Sequence, residues 1–234
     1  MVNGRLALVG GDEFRSGCET MDAAILAATG SASPAVLIVP TAAAFENPAR
    51  AADNGVRHFE SLGADASALM ILDRDDAMDA GSASEVGAAD MVYLTGGNPA
   101  HLLETLQDSL LLDTIKARLE SGGILAGSSA GAMVMGRWMR FREWRRTLGI
   151  AEGIATLPHH ERADPDAVLG ELRSAPEDLS AVFGIDGRAG ALSGPNGWTA
   201  LGAGRVTVYQ SPPRIEYGGG SWRRFEEGQR FSVD

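Results

Sequence analysis

The sequence predicts an α/β fold. It is a three-layer, doubly wound and mostly parallel sheet, with antiparallel hairpin strands added towards the C-terminus. Three observations point there. Short apolar runs alternate with stretches of helical spacing through the first half of the chain. Gly-rich loops, at Gly10-Gly11, Gly96-Gly97 and Gly127–Gly131, follow three of those runs. Further on, short strand-like runs come in close succession, separated by Gly, Pro and Asn.

In order, Arg5–Val9 reads as the first strand and Thr20–Ala28 as a helix. Ala35–Val39 is a second strand, stopped by Pro40. Asn47–Leu62 is helical, with Asn47 as cap and Pro48 in the first helical position, where its missing N–H costs nothing. Ala68–Leu72 reads as a third strand, Ala83–Ala89 as a short helix and Met91–Thr95 as a fourth strand. Pro99–Leu106 and Leu111–Glu120 are helical, and Gly123–Ala126 is a fifth strand running into Ser128-Ser129-Ala130-Gly131. Asp166–Arg173 is a helix. Ala181–Ile185, Gly190–Ser193, Trp198–Leu201 and Arg205–Tyr209 read as hairpin strands extending the sheet, and the stretch from Ser211 as a peripheral tail on a single domain. Ligands of such folds bind beyond the carboxyl ends of the strands, so the three Gly-rich loops mark the site.

Composition narrows the class. With 20 basic and 31 acidic residues the net charge is −11, and a nucleic-acid partner is not expected. Cys18 is the single cysteine, so no internal disulfide forms and a reducing, cytoplasmic setting is expected. Four histidines and one cysteine offer no structural zinc site, and no metal or cofactor is expected. No apolar stretch reaches the about 18 residues of a membrane span, and no signal segment is read at the start.

Gly127-Ser128-Ser129-Ala130-Gly131 fits the pattern G-x-S-x-G. A nucleophile pushed out of a sharp strand-to-helix turn needs small neighbours, so that the turn closes and substrate approaches. Ser129 stands where the strand ends and the helix Ala130–Met135 begins, which makes it the preferred nucleophile and Ser128 the alternative. A serine needs a base. His58 and His101 lie in helical patterns that suggest structural roles, whereas His159 and His160 follow Pro158 in a loop that can aim one of them.

Tyr93-Leu94-Thr95-Gly96-Gly97-Asn98, the Gly127–Ala132 turn, Leu157-Pro158-His159 and Val182-Phe183-Gly184-Ile185-Asp186 occur in this order. In these the chain resembles the serine peptidases of dipeptidase E (an Asp-X dipeptidase) and cyanophycinase, within the class I glutamine amidotransferase-like, flavodoxin-like fold group. The resemblance spans Arg5 to Tyr209. It implies Ser129 as nucleophile, His159 as base, and an oxyanion hole from the backbone N–H groups of Gly97 and Ala130. It also implies a small peptide substrate, with Asn98, His160 and Arg162 as candidate binding residues. Two departures stand out. The family's third triad member, a Glu directly after Gly-Ile-Asp, is here Gly187, leaving Asp186, Glu143 and Glu161 as candidates. The family's cyanophycinases carry Gln after Gly-Gly-Asn, where this chain has Pro99, and this favours the dipeptidase branch.

Arg137, Arg140, Arg142, Arg145 and Arg146 form a local inversion of charge beside Trp138, Phe141 and Trp144. The segment reads as a carboxylate-recognition element, or as a solvated helix face or an interface, including that of a homodimer. Glu13, Arg15 and Glu46 stand near strand ends and are further pocket candidates. Besides the peptidase, two readings stay open. One is a weakened or non-catalytic member that binds a small ligand or partner, motivated by Gly187. The other is an α/β-hydrolase-type esterase, which would place the histidine last, after the acid. Glutamine amidotransferase activity is disfavoured because the nucleophile position holds Ser129 and not Cys.

Overall fold

The computed structural model describes residues 4–210 and 221–233. Five strands are laid down first: β1 (Arg5–Val9), β2 (Ala35–Val39), β3 (Asp65–Ala68), β4 (Met91–Leu94) and β5 (Ile124–Ser128). Between them lie α1 (Glu19–Ala27), α2 (Pro48–Ser61), α3 (Arg74–Ala77), α4 (Ala80–Ala88), α5 (Pro99–Leu106) and α6 (Leu110–Glu120). Then come α7 (Ala130–Met135), β6 (Trp138–Phe141), β7 (Glu143–Arg146), β8 (Ile154–Leu157), α8 (Pro165–Glu171) and β9 (Ala181–Ile185). The chain closes with β10 (Ala189–Gly194), β11 (Gly197–Gly202), β12 (Val206–Gln210), β13 (Trp222–Phe225) and β14 (Arg230–Phe231).

The central sheet has the order β14-β11-β10-β1-β5-β4-β2-β3. β1 to β5 pair in parallel, and β10, β11 and β14 continue the sheet in antiparallel fashion. β4 and β5 are buried at every position, as expected of strands covered on both faces. Alternation along β1 sends Leu8 to one apolar layer and Ala7 and Val9 to the other, which fixes the register. A second sheet, β13-β12-β9-β8, stands beside the first.

The structure bears out the α/β class and corrects several elements. The third strand is Asp65–Ala68, not Ala68–Leu72. It is an edge strand with an exposed–buried–exposed–exposed pattern, so it carries no apolar signature. The apolar run after it packs beyond the ladder, where the Thr41 hydroxyl donates to the Ile71 carbonyl. Of the late strands, β10 and β11 extend the main sheet, whereas β9 and β12 build the second one. In the expected tail, β13 pairs with β12 and β14 with β11. The remainder of that tail, residues 211–220, lies outside the described residues.

The Arg-rich segment is a hairpin and not a helix. Trp138 pairs with Arg146 and Arg140 with Trp144 across β6 and β7, and Arg142 turns the chain at φ 69°. Each of these cross-strand pairs sets a ring opposite a guanidinium, and Arg146 lies over the Trp138 ring at 4.8 Å. Four of the segment's five arginines are paired: Arg137 and Arg146 with Asp178, Arg140 with Glu171, and Arg145 with Glu104.

Candidate active site

β5 hands over to α7 at Ser129, whose backbone sits at φ 48° and ψ −106°. A non-glycine residue at positive φ stores strain, and the surroundings must hold it there. The Ser129 N–H donates to the Val9 carbonyl at 3.0 Å, tying the turn to β1. A Cβ on Gly127 would lie 2.6 Å from the Gly131 carbonyl carbon, and one on Gly131 would lie 2.4 Å from the Leu94 oxygen. The two glycines of the motif are therefore what lets the turn close. Ser129 is left half-buried at the cavity, while Ser128 is fully buried.

The loop after β4 supplies the opposite wall. Gly97 has φ 139°, and a Cβ there would fall 2.2 Å from the Ala42 carbonyl oxygen. The Gly97 N–H meets no acceptor among the described residues, and the Ala130 N–H belongs to the first turn of α7, where intrahelical acceptors do not exist. Such donors can stabilise an oxyanion. Glu13, in the loop after β1, braces this arrangement. It accepts the Gly96 N–H at 2.8 Å through Oε1 and the Ser128 hydroxyl at 2.8 Å through Oε2.

His159 is held at φ 51°, with its N–H donating to the Gly10 carbonyl at 2.9 Å. Its ring lies against Gly11, where a Cβ would come within 2.2 Å of Cε1. Ser129, His159, Gly97 and Glu13 line one cavity of about 470 Å³. Arg15 and Glu46 share its wall, together with Asn47, Arg50 and Asn54 of the α2 region. Arg50 and Asn54 are cavity residues that the sequence analysis missed, because α2 reads as an ordinary amphipathic helix.

The other candidates fall elsewhere. His160 is buried, with Nε2 2.6 Å from Tyr209 Oη and its ring against Gly184. Burial holds its proton affinity below the usual imidazole range. Asn98 caps α5, its Oδ1 accepting the Ala100 and His101 N–H groups. Arg162, three residues after His159, is exposed. Asp186 is buried, and its carboxylate takes both the side chain and the backbone N–H of Arg205 at 3.0 Å. Glu143 is exposed next to the turn of the β6–β7 hairpin. Glu161 accepts the Gly187 N–H at 3.0 Å. Among the described residues the only histidine–carboxylate pair within 4.0 Å is His58–Asp22, so no carboxylate directly contacts the His159 ring nitrogens. No group of three or more His, Cys, Asp or Glu side chains suited to a metal ion occurs among the described residues, nor does any helix there have the length and apolarity to cross a membrane.

The parallel α/β sheet, with Ser129 at a strained strand-to-helix turn, has a peptidase E-like fold. Residues 6–159 match peptidase family S51, and the chain belongs to that family. It is 28% identical over 195 residues to the cyanophycinase of Trichormus variabilis, covering 76% of this chain and 64% of that protein. The cyanophycinase of Geminocystis herdmanii is likewise 28% identical over 195 residues, covering 76% of this chain and 70% of its own. The chain thus spans 64% of the length of the first of these relatives. Among solved structures, a peptidase from an acI-B1 actinobacterium superposes with a TM-score of 0.83 at 26% identity, covering 98% of this chain and 96% of that one. A putative peptidase E protein from Listeria monocytogenes shares the fold with a TM-score of 0.62 at 18% identity, covering 86% and 98%.

Proposed function

We propose that the chain is a serine-type exopeptidase that cleaves short peptides, with a preference for an N-terminal Asp. Ser129 Oγ attacks the scissile carbonyl while His159 takes its proton. The Gly97 and Ala130 N–H groups hold the oxyanion. His159 returns the proton to the leaving amine, and water then hydrolyses the acyl-enzyme. The observation that carries this reading is that Ser129, at its strained turn, and His159 border the same cavity. Arg15 and Arg50 on the wall suit an acidic substrate, and Pro99 after Gly96-Gly97-Asn98 favours the dipeptidase branch.

The test is turnover of Asp-X dipeptides, neutral dipeptides and cyanophycin by the wild-type chain and by Ser129→Ala. Turnover of Asp-X peptides that Ser129→Ala abolishes supports the reading. Equal turnover by both proteins overturns it, and a preference for cyanophycin moves the chain to the other branch of the family. Gly187 favours a second reading, a catalytically weakened or ligand-binding member. Thermal stabilisation by a small ligand without any turnover would support that one.

A further inference from the structure

We propose that Glu161 is the positioning carboxylate for His159, standing in for the side chain that Gly187 lacks. The inference rests on the reading of Ser129 and His159 as nucleophile and base.

The local chain path brings the groups together. The His159 N–H donates to Gly10 at the end of β1, and the His160 N–H donates to Ile185 at the end of β9, at 3.1 Å. The base loop is thereby stitched between two strand ends, and Glu161 is delivered to the turn that follows β9. There its Oε2 accepts the Gly187 N–H at 3.0 Å. A Cβ on Gly187 would stand 3.8 Å from that same oxygen and 2.9 Å from Asp12 Oδ2. The space into which a side chain at 187 would grow is therefore bounded by two carboxylates supplied from other segments. A third anion there would meet both. Glycine fits because the charge comes from outside the position.

Two features select Glu161 over Asp12. Asp12 is neutralised by Arg15 at 3.5 Å and Arg188 at 3.9 Å, whereas Glu161 has no cation within 4.0 Å among the described residues. Glu161 also belongs to the base's own loop. Its carboxyl is held below the usual carboxylate range by the Gly187 amide, then by its own amide, His159 and Arg162, so it stays ionised where an imidazole titrates. The charged groups that share the cavity with His159 are Asp12, Glu13 and Arg15 from the loop after β1 and Glu46 and Arg50 from the α2 region; Glu161 and Arg162 follow in its own loop, and Arg188 stands beside Asp12. In the free protein the Glu161 carboxylate does not touch the ring nitrogens. The direct hydrogen bond closes when the imidazolium forms, as catalytic contacts commonly tighten only with substrate.

The experiment has one arm that needs no turnover. The His159 ring is titrated by NMR in Ser129→Ala, its signal assigned by its loss in His159→Gln. The acid limb of kcat/KM is followed in parallel in the active chain. Glu161→Gln is expected to move the titration and the acid limb to lower pH. It is also expected to lower kcat by between about 10- and 10⁴-fold with KM within roughly twofold. Glu161→Asp recovers part of the loss, and Glu143→Gln changes neither readout. An unmoved His159 titration in Glu161→Gln overturns the proposal, as does a shift produced by Asp12→Asn but not by Glu161→Gln. If the wild type hydrolyses nothing, the proposed function fails while the titration still decides this point.

Discussion

The Ser128 hydroxyl donates a 2.8 Å hydrogen bond to Glu13, tying the residue before Ser129 to the loop after β1. The same carboxylate takes the Gly96 N–H, next to Gly97, the proposed oxyanion donor. One side chain therefore sets the spacing of three strand ends. Glu13→Ala leaves the buried Ser128 hydroxyl without its acceptor, at a cost of about 1–3 kcal/mol. Thermal denaturation should register a fall of about 2–4 °C for each kcal/mol lost. kcat should drop more than KM changes, because the hole and not the substrate pocket loosens. Glu13→Gln, which keeps one acceptor, should be milder in both measurements.

Gly11 is a contact surface for the His159 ring. With φ at 134° and the His159 ring where a Cβ would be, Gly11→Ala forces the imidazole away from its place. A displacement on the order of 1 Å costs about 10²-fold in rate. The expected result is a loss of that size in kcat/KM with the far-ultraviolet circular dichroism spectrum retained. Unchanged kcat/KM would show that the ring position does not matter.

Ser129 trades stability for exposure of its hydroxyl. Glycine accepts φ 48° and ψ −106° more readily than serine, and such strain costs about 1–3 kcal/mol. Ser129→Gly should therefore be inactive yet melt at a higher temperature than the wild type, while Ser129→Ala should be inactive without that gain. A lower melting temperature for Ser129→Gly would contradict the strain argument.

His160 gives the fold an acid sensitivity separate from catalysis. Its folded pKa lies below the ordinary imidazole value of 6.5 because burial disfavours the imidazolium. The unfolded chain then binds the proton more readily, so this contribution is present above pH 6.5 and is lost as pH falls through the folded pKa. Melting temperatures recorded from pH 7.5 downward should fall with acidification, and His160→Gln should flatten that slope. A slope identical to wild type would place the acid sensitivity elsewhere.

The parts legible in the sequence are those where local sterics leave a mark. The turn at Gly127, Ser129 and Gly131 allows few residue types, so β5, α7 and their junction emerge from the sequence alone. Gly11 and Gly97 carry the same kind of mark. The parts that stayed hidden depend on long-range pairing. β3 is a polar edge, and β14 is a two-residue strand that exists only because β11 receives it. The β6–β7 hairpin kept its charges paired with Asp178, Glu171 and Glu104, all remote in sequence. The two adjacent histidines could not be assigned by neighbourhood, yet the fold separates them, one ring onto Gly11 and the other onto Tyr209. The contact of Glu161 with the Gly187 amide joins two loops, and neither loop reveals it alone.

The central claim is that Ser129 is a nucleophile activated by His159. It is tested most directly by intact mass and peptide mapping after treatment with a serine-directed fluorophosphonate. The expected result is a single adduct on Ser129, absent from Ser129→Ala and formed far more slowly by His159→Gln. An adduct that persists in Ser129→Ala, or a wild-type chain that takes up no label, would contradict it.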